Sequence, residues 1–201
     1  MVIADQVDSR TASDRVPLAL EALSGVGMLL PYERTAGDEI QGLAGTGQAV
    51  VTSITALTRL DGWRIGVGVG LVDEPLPEST RAARGDAYLA ARTAIGTARR
   101  SPVALSLVAG DSVRADAYGD VVEDAETALW LLRSTLARRS REGWELMDLL
   151  DQRLTNAQAA ERRGISPSAV SQRLARAART ESERATRLAT RLLDRLVEVP
   201  A

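Results

Sequence analysis

Residues 154–177, Leu-Thr-Asn-Ala-Gln-Ala-Ala-Glu-Arg-Arg-Gly-Ile-Ser-Pro-Ser-Ala-Val-Ser-Gln-Arg-Leu-Ala-Arg-Ala, carry the most specific spacing in this 201-residue chain. Thr155 and Gln158 stand three apart, as in a capping box, where a hydroxyl accepts from the backbone three residues on and the amide side chain reaches back. Gly164 closes that helix, because a residue that tolerates positive φ lets the last carbonyls find donors. Ser166 and Pro167 open the next: the hydroxyl accepts from an early backbone N–H, and proline at the first helical position loses no bond. Ala160 allows a close crossing of the two helices, and Ile165, Val170 and Leu174 supply the apolar wedge that fixes their angle. The spacing predicts a helix-turn-helix whose second helix begins near Pro167.

On that second helix, residues two positions from Val170 lie on the opposite side, so Ser168, Gln172 and Arg176 form a polar stripe at i, i+4, i+8. A stripe so placed suits the major groove of double-stranded DNA. Ser168 and Gln172 are the candidate readers of base edges, with Gln able to pair bidentately with adenine; Arg176 can reach guanine or phosphate. Thr155, Arg173 and Arg179 are candidates for contacts to the sugar-phosphate backbone, which set register more than sequence choice. The competing expectation is an ordinary pair of packed helices. The segment resembles the helix-turn-helix of bacterial regulators and sigma-factor-like domains in the spacing of Ala160, Gly164 and Val170.

Charge is distributed to match. The net charge is -2, yet residues 152–196 hold 10 Arg against 4 acidic residues, so the rest of the chain is strongly acidic. Only the C-terminal part suits a polyanion. Cysteine and histidine are absent, which excludes disulfides, thiolate metal sites and thiol nucleophiles; chemistry here would fall to carboxylates, hydroxyls, Arg or an oxygen-held metal. No apolar run approaches the roughly 20 residues of a membrane span, and no signal-peptide pattern opens the chain, so a cytoplasmic protein without a membrane partner is expected.

The length accommodates two domains. Upstream, the periodicities predict β-α-β-β-α-β-α-β over residues 2–108: a strand at Val2–Ala4 ending at Asp5, a helix over 14–23, a hairpin of 28–34 and 39–43, a helix over 48–60, a strand over 63–72, a helix over 86–99 and a strand over 103–108. Gly66, Gly68 and Gly70 alternate along one face of their strand, which suits close helix packing and not a phosphate loop. Residues 121–150 are expected to be a helical connector broken at Gly143. In 182–197, Leu188, Leu192 and Leu196 form a stripe that suits packing on the rest of the chain or on a second copy, making a homodimer the expected state. The fold class expected is α+β, a ferredoxin-like (βαββαβ) domain over 1–120, the connector over 121–150, and an all-α helix-turn-helix domain over 151–201.

In a ferredoxin-like sheet the end of the first strand lies beside the hairpin turn, so Asp5 and Asp38 should converge. Two carboxylates with a phosphate would suit Mg²⁺ or Mn²⁺ held together with a nucleotide. Glu39 is expected on the other face, solvated or paired with Arg. Trp130 and Trp144 are expected as core or interface anchors.

The stretches Ala4-Asp5-Gln6-Val7-Asp8-Ser9-Arg10, Ala36-Gly37-Asp38-Glu39-Ile40-Gln41-Gly42-Leu43, Ile65 to Gly70, and Arg84-Gly85-Asp86 with Ala90-Ala91-Arg92 resemble the successive signatures of SatD-like proteins. More distantly they are similar to the catalytic palm of class III nucleotidyl cyclases, over residues 2–108. The resemblance implies a palm whose metal-binding residues are Asp5 and Asp38 and whose phosphate contact is Arg92. Where those cyclases place Asn before the Ala-Ala-Arg segment, Tyr88 stands here, and the chain has no Lys to read a purine, so a palm without turnover is implied. The rival reading is an enzyme using Asp5 and Asp38 for metal-dependent nucleotidyl transfer, with the C-terminal helices as a regulatory arm. A third reading makes the N-terminal domain an assembly module.

Overall fold

Two runs buried on both faces, β1 (Val2–Gln6) and β4 (Trp63–Val69), set the centre of the sheet. Apart from Asp5, Gln6 and the partly exposed Arg64, both are short apolar runs with little exposure on either face, which places helices above and below. The computed structural model describes residues 1–9, 11–113 and 115–197; Arg10 and residues 198–201, which the expected boundaries and motifs include, lie outside the described residues. Along the chain follow α1 (Val16–Leu23), β2 (Leu30–Arg34), β3 (Glu39–Leu43), α2 (Gly47–Leu60), β4, α3 (Asp86–Ala98) and β5 (Leu105–Ala109). This is the order expected from periodicity, and the chain is α+β.

The sheet order is β2-β3-β1-β4-β5. β1 is antiparallel to both β3 and β4, with Asp5 opposite Glu39 on one side and Arg64 on the other. β5 adds to β4 in parallel, the long crossover between them being α3. One face carries Val2, Ala4, Ile40, Ile65 and Val67 into the main core beneath α1 and α2. The other carries Ile3 and Leu43 onto Ala87, Ala91 and Ile95 of α3.

Alternate glycines make that second layer possible. A Cβ on Gly66 would stand 2.4 Å from the Ile95 nitrogen, and one on Gly68 would stand 2.2 Å from the Ala87 oxygen. The backbone of α3 therefore rests directly on β4, as the alternation predicted.

The C-terminal half departs from the expected boundaries. Helix α4 (Ala115–Ala137) is not a connector: Ala125, Ala128, Leu129, Leu132 and Leu136 belong to the main core. The chain breaks at 138–140, not at Gly143, because Ser140 caps α5 (Arg141–Asp151) by accepting from the Gly143 amide at 3.2 Å. Gly143 sits inside the first turn of α5, where a Cβ would come within 2.9 Å of the Arg139 side chain and 3.1 Å of Ala177 Cβ.

Helices α5, α6 (Asn156–Arg163) and α7 (Pro167–Arg176) share a small core of Leu146, Ala159, Ala160, Val170 and Leu174, with Ile165 packed against it. Helix α8 (Arg179–Val197) then returns to the sheet unit. Leu192, Leu193 and Leu196 are buried with α2 and α4, while Leu188 stays exposed. Two of the three stripe residues, Leu192 and Leu196, thus pack within the chain. At its far end Asp194 accepts from the Gly47 amide at 2.6 Å, placing a carboxylate at the N-terminus of α2, where the helix dipole favours it.

Candidate nucleic-acid interface

The caps predicted around the α6–α7 turn are formed. Thr155 Oγ1 accepts from the Gln158 amide at 3.3 Å, and the Gln158 side chain accepts from the Thr155 amide at 2.8 Å. Gly164 adopts φ 62°, in the left-handed region, and its amide bonds back to Ala160 and Glu161. Ser166 Oγ accepts from the Ala169 amide at 3.2 Å, with Pro167 in the first turn.

These caps fix which side of α7 faces outward. Val170 and Leu174 are 0% and 6% exposed, whereas Ser168, Gln172 and Arg176 are exposed. Ser168 Oγ lies 2.9 Å from Ser166 Oγ, a partner it can release because both hydroxyls face solvent. Ser171 and Ala175 flank the stripe and are exposed too. Ser171 was missed by reading positions four apart, although an i+3 neighbour of Ser168 shares its side of a helix.

The other predicted contacts differ in readiness. The Thr155 hydroxyl is engaged by its cap. Arg173 is half-buried. Arg179 Nε donates to Glu183 at 2.7 Å, so part of its charge is answered locally. Arg163 pairs with Glu145 of α5, which ties α6 to its neighbour.

Arg139, which the sequence did not single out, positions the unit. Its Nε donates to the Ala177 carbonyl at 3.0 Å and its Nη2 to Ser182 Oγ at 2.7 Å, and its guanidinium lies 4.4 Å from the Trp144 ring centroid. Burial lowers its pKa from the ordinary value, but it is far too basic to lose its charge near neutrality. Arg59, 5.3 Å from the same ring, holds Asp148 of α5 at 2.6 and 2.7 Å. Trp144 is therefore an interface anchor, and Trp130 anchors α4 by donating to the Leu105 carbonyl at 3.0 Å.

On the α3 side of the sheet, Asp5, Asp38 and Arg92 line one cavity of about 420 Å³, together with Glu39, Arg81 and Arg99. Convergence of Asp5 and Asp38 follows from register, since Asp5 pairs with Glu39 and the Gln6 amide donates to the Asp38 carbonyl at 3.2 Å. Glu39 faces this same cavity and not the opposite face, because directly paired residues on neighbouring strands project to one side. It accepts from Arg92 at 2.6 Å and from Thr35 at 2.7 Å, the Arg-paired state expected of it.

Asp5 is 7% exposed, and its two oxygens accept from Arg64 at 3.2 Å and Arg99 at 3.5 Å. As arranged, the cluster does not fit a divalent cation: an ion on Asp5 would compete with two guanidiniums for one carboxylate. Arg64 was legible only through register, and Arg81 lies in the loop between β4 and α3, where periodicity carries no information.

No protein-family model matches this chain, and no curated protein or solved structure matches it significantly. Among the described residues no helix is long and apolar enough to cross a membrane.

Proposed function

We propose that this chain is a sequence-specific double-stranded DNA-binding protein, a transcriptional regulator of bacterial type, whose α5–α7 unit is a helix-turn-helix. The observation that carries the reading is the outward stripe of α7, Ser168, Gln172 and Arg176, exposed and backed by the buried pair Val170 and Leu174. Helix caps at both sides of the turn support a rigid presentation of that stripe, and the basic excess of residues 152–196 supplies attraction to phosphate. Such readers act in pairs on half-sites one helical turn apart, so a homodimer in the cytoplasm is part of the proposal. The sheet unit fits the ferredoxin-like palm implied by the SatD-like resemblance, because β2-β3-β1-β4 has the strand order of that fold, with β5 appended.

The test is enrichment of a random duplex library by the purified protein. A consensus should emerge, and Gln172→Ala should weaken cognate binding by about 1–3 kcal/mol and relax one base position. Arg176→Ala should either relax a second position or, if its contact is phosphate, weaken all sequences alike. No enrichment, or equal losses for Gln172→Ala on consensus and random duplexes, would overturn the reading.

A second reading is favoured by the convergence of Asp5, Asp38 and Arg92: a nucleotide effector held in the 420 Å³ cavity by Arg81, Arg92 and Arg99, with Mg²⁺ or Mn²⁺ admitted only if Asp5 is freed from Arg64 and Arg99. Calorimetry with a nucleoside triphosphate, with and without each metal, separates the cases. Binding that persists in an Asp5→Asn, Asp38→Asn variant excludes the metal, and no binding in any condition excludes the effector.

A further inference from the structure

At the end of the sheet remote from Asp5, a cavity of about 510 Å³ opens between the ends of β3 and β4, the start of α2, the chain around 70–76 and the last turn of α8. Val50, Val67, Leu43, Leu193 and Leu196 form its walls. Its mouth gathers exposed apolar side chains. Leu29, Leu71, Leu76 and Val197, half of the large apolar residues exposed among the described residues, all line this one opening. Scattered apolar side chains need no explanation, but a contiguous set around a concavity marks a binding surface. A volume of this size, mostly apolar with few polar groups, is that of a small-molecule site.

Charge narrows the occupant. Among the described residues that line it, Glu74 is the only acidic or basic side chain, and it is exposed at the mouth. The Met1 α-amino group also borders the cavity, but it donates to the Gly68 carbonyl at 2.9 Å, and burial holds its pKa down to about 5. At that value it is uncharged near neutrality, so among the described lining residues no cation answers Glu74. Thr46 and Ser112 add hydroxyls: the first caps α2, and the second is engaged with Asp86.

We propose that this cavity binds a small amphiphile, its apolar body between α2, the strand ends and α8, and a cationic head at Glu74. The site is independent of the DNA reading and of the Asp5 cavity.

The test is calorimetry on the full chain at neutral pH with three probes sharing one tail, decylamine, decanol and decanoate, each below its aggregation concentration. Decylamine, as the ammonium, should bind tightest and decanoate weakest. Glu74→Gln should lower decylamine affinity about three- to fivefold, to the level of decanol, since an exposed charge contact is worth no more than that. Leu71→Ser, at the mouth, should weaken all three probes, whereas Leu89→Ser, exposed elsewhere on α3, should change none. No binding by any probe, tightest binding of decanoate, or indifference to both mouth variants would overturn the proposal. Binding seen only in a chain ended at Val197 would overturn it too, by making residues 198–201 the occupant.

Discussion

Asp86 Oδ2 accepts from both the amide and the hydroxyl of Ser112 at 2.6 Å, and Gly110 leaves room for the carboxylate, since a Cβ there would stand 2.3 Å from it. Burial alone would raise its pKa, but the Ser112 hydroxyl, the Ser112 amide and the Asp111 amide outweigh burial and hold it below the ordinary 3.8. With the native value depressed, the unfolded chain binds more protons in that window, so this contribution to stability is complete above the unfolded pKa. It is lost as pH falls through the native one. Asp86→Asn should therefore flatten the acid limb of the stability curve below about pH 4, read by urea titration at several pH values. An unchanged limb would mean that the Ser112 bonds do not favour the ionised form. Single residues were also where the sequence was most legible. Thr155, Gly164, Ser166 and Pro167 act within four residues of themselves, and local chemistry decided them. Arg139 was opaque because its partners, Ala177 and Ser182, lie about forty positions away.

Among the elements, α3 on β4 is the contact with least tolerance. A side chain at Gly68 would meet backbone atoms of Ala87 and Ala91 at 2.2 Å, and backbone cannot swing aside as a flexible side chain can. Gly68→Ala should destabilise the fold by about 3 kcal/mol, measured as a lower denaturation midpoint at unchanged slope. Gly96→Ala, on α3 with open space around it, should stabilise or leave the fold unchanged. A small effect at Gly68 would show that α3 can lift from the sheet. The glycine alternation announced this packing because a strand has no other common reason to omit every second side chain. Helix α4 was misassigned for the converse reason. Its stripe of Leu129, Leu132 and Leu136 says that one side is buried but is silent about what buries it.

For the molecule as a whole, α4 and α8 enclose the α5–α7 unit in sequence while both pack on the sheet unit. Protection from hydrogen exchange should follow packing. Amides of α8 from Ala189 to Leu196 should exchange with those of α2, at the slow end, and amides of α6 and α7 should exchange earlier through opening of their smaller core. If α8 opened together with α6 and α7, the chain would be divided in space as it is in sequence. The expected boundary at 151 followed the motif and the run of Arg, both local signals; the return of α8 to α2 rests on Asp194 and Gly47, 147 positions apart.

The bonds from Arg139 to Ala177 and Ser182 mean that the two ends of the α5–α7 unit meet. A segment whose ends meet is an insertion, held at the tip of a helical hairpin, and insertions can be exchanged without disturbing their host. Cutting the chain at 150 would strip α8 from the core, whereas excising residues 141–176 and bridging the gap with a short flexible linker should leave a folded sheet unit. On the DNA-binding function proposed above, the same economy would let one host carry different readers, with specificity changed by transplanting a cassette and not by remodelling a domain.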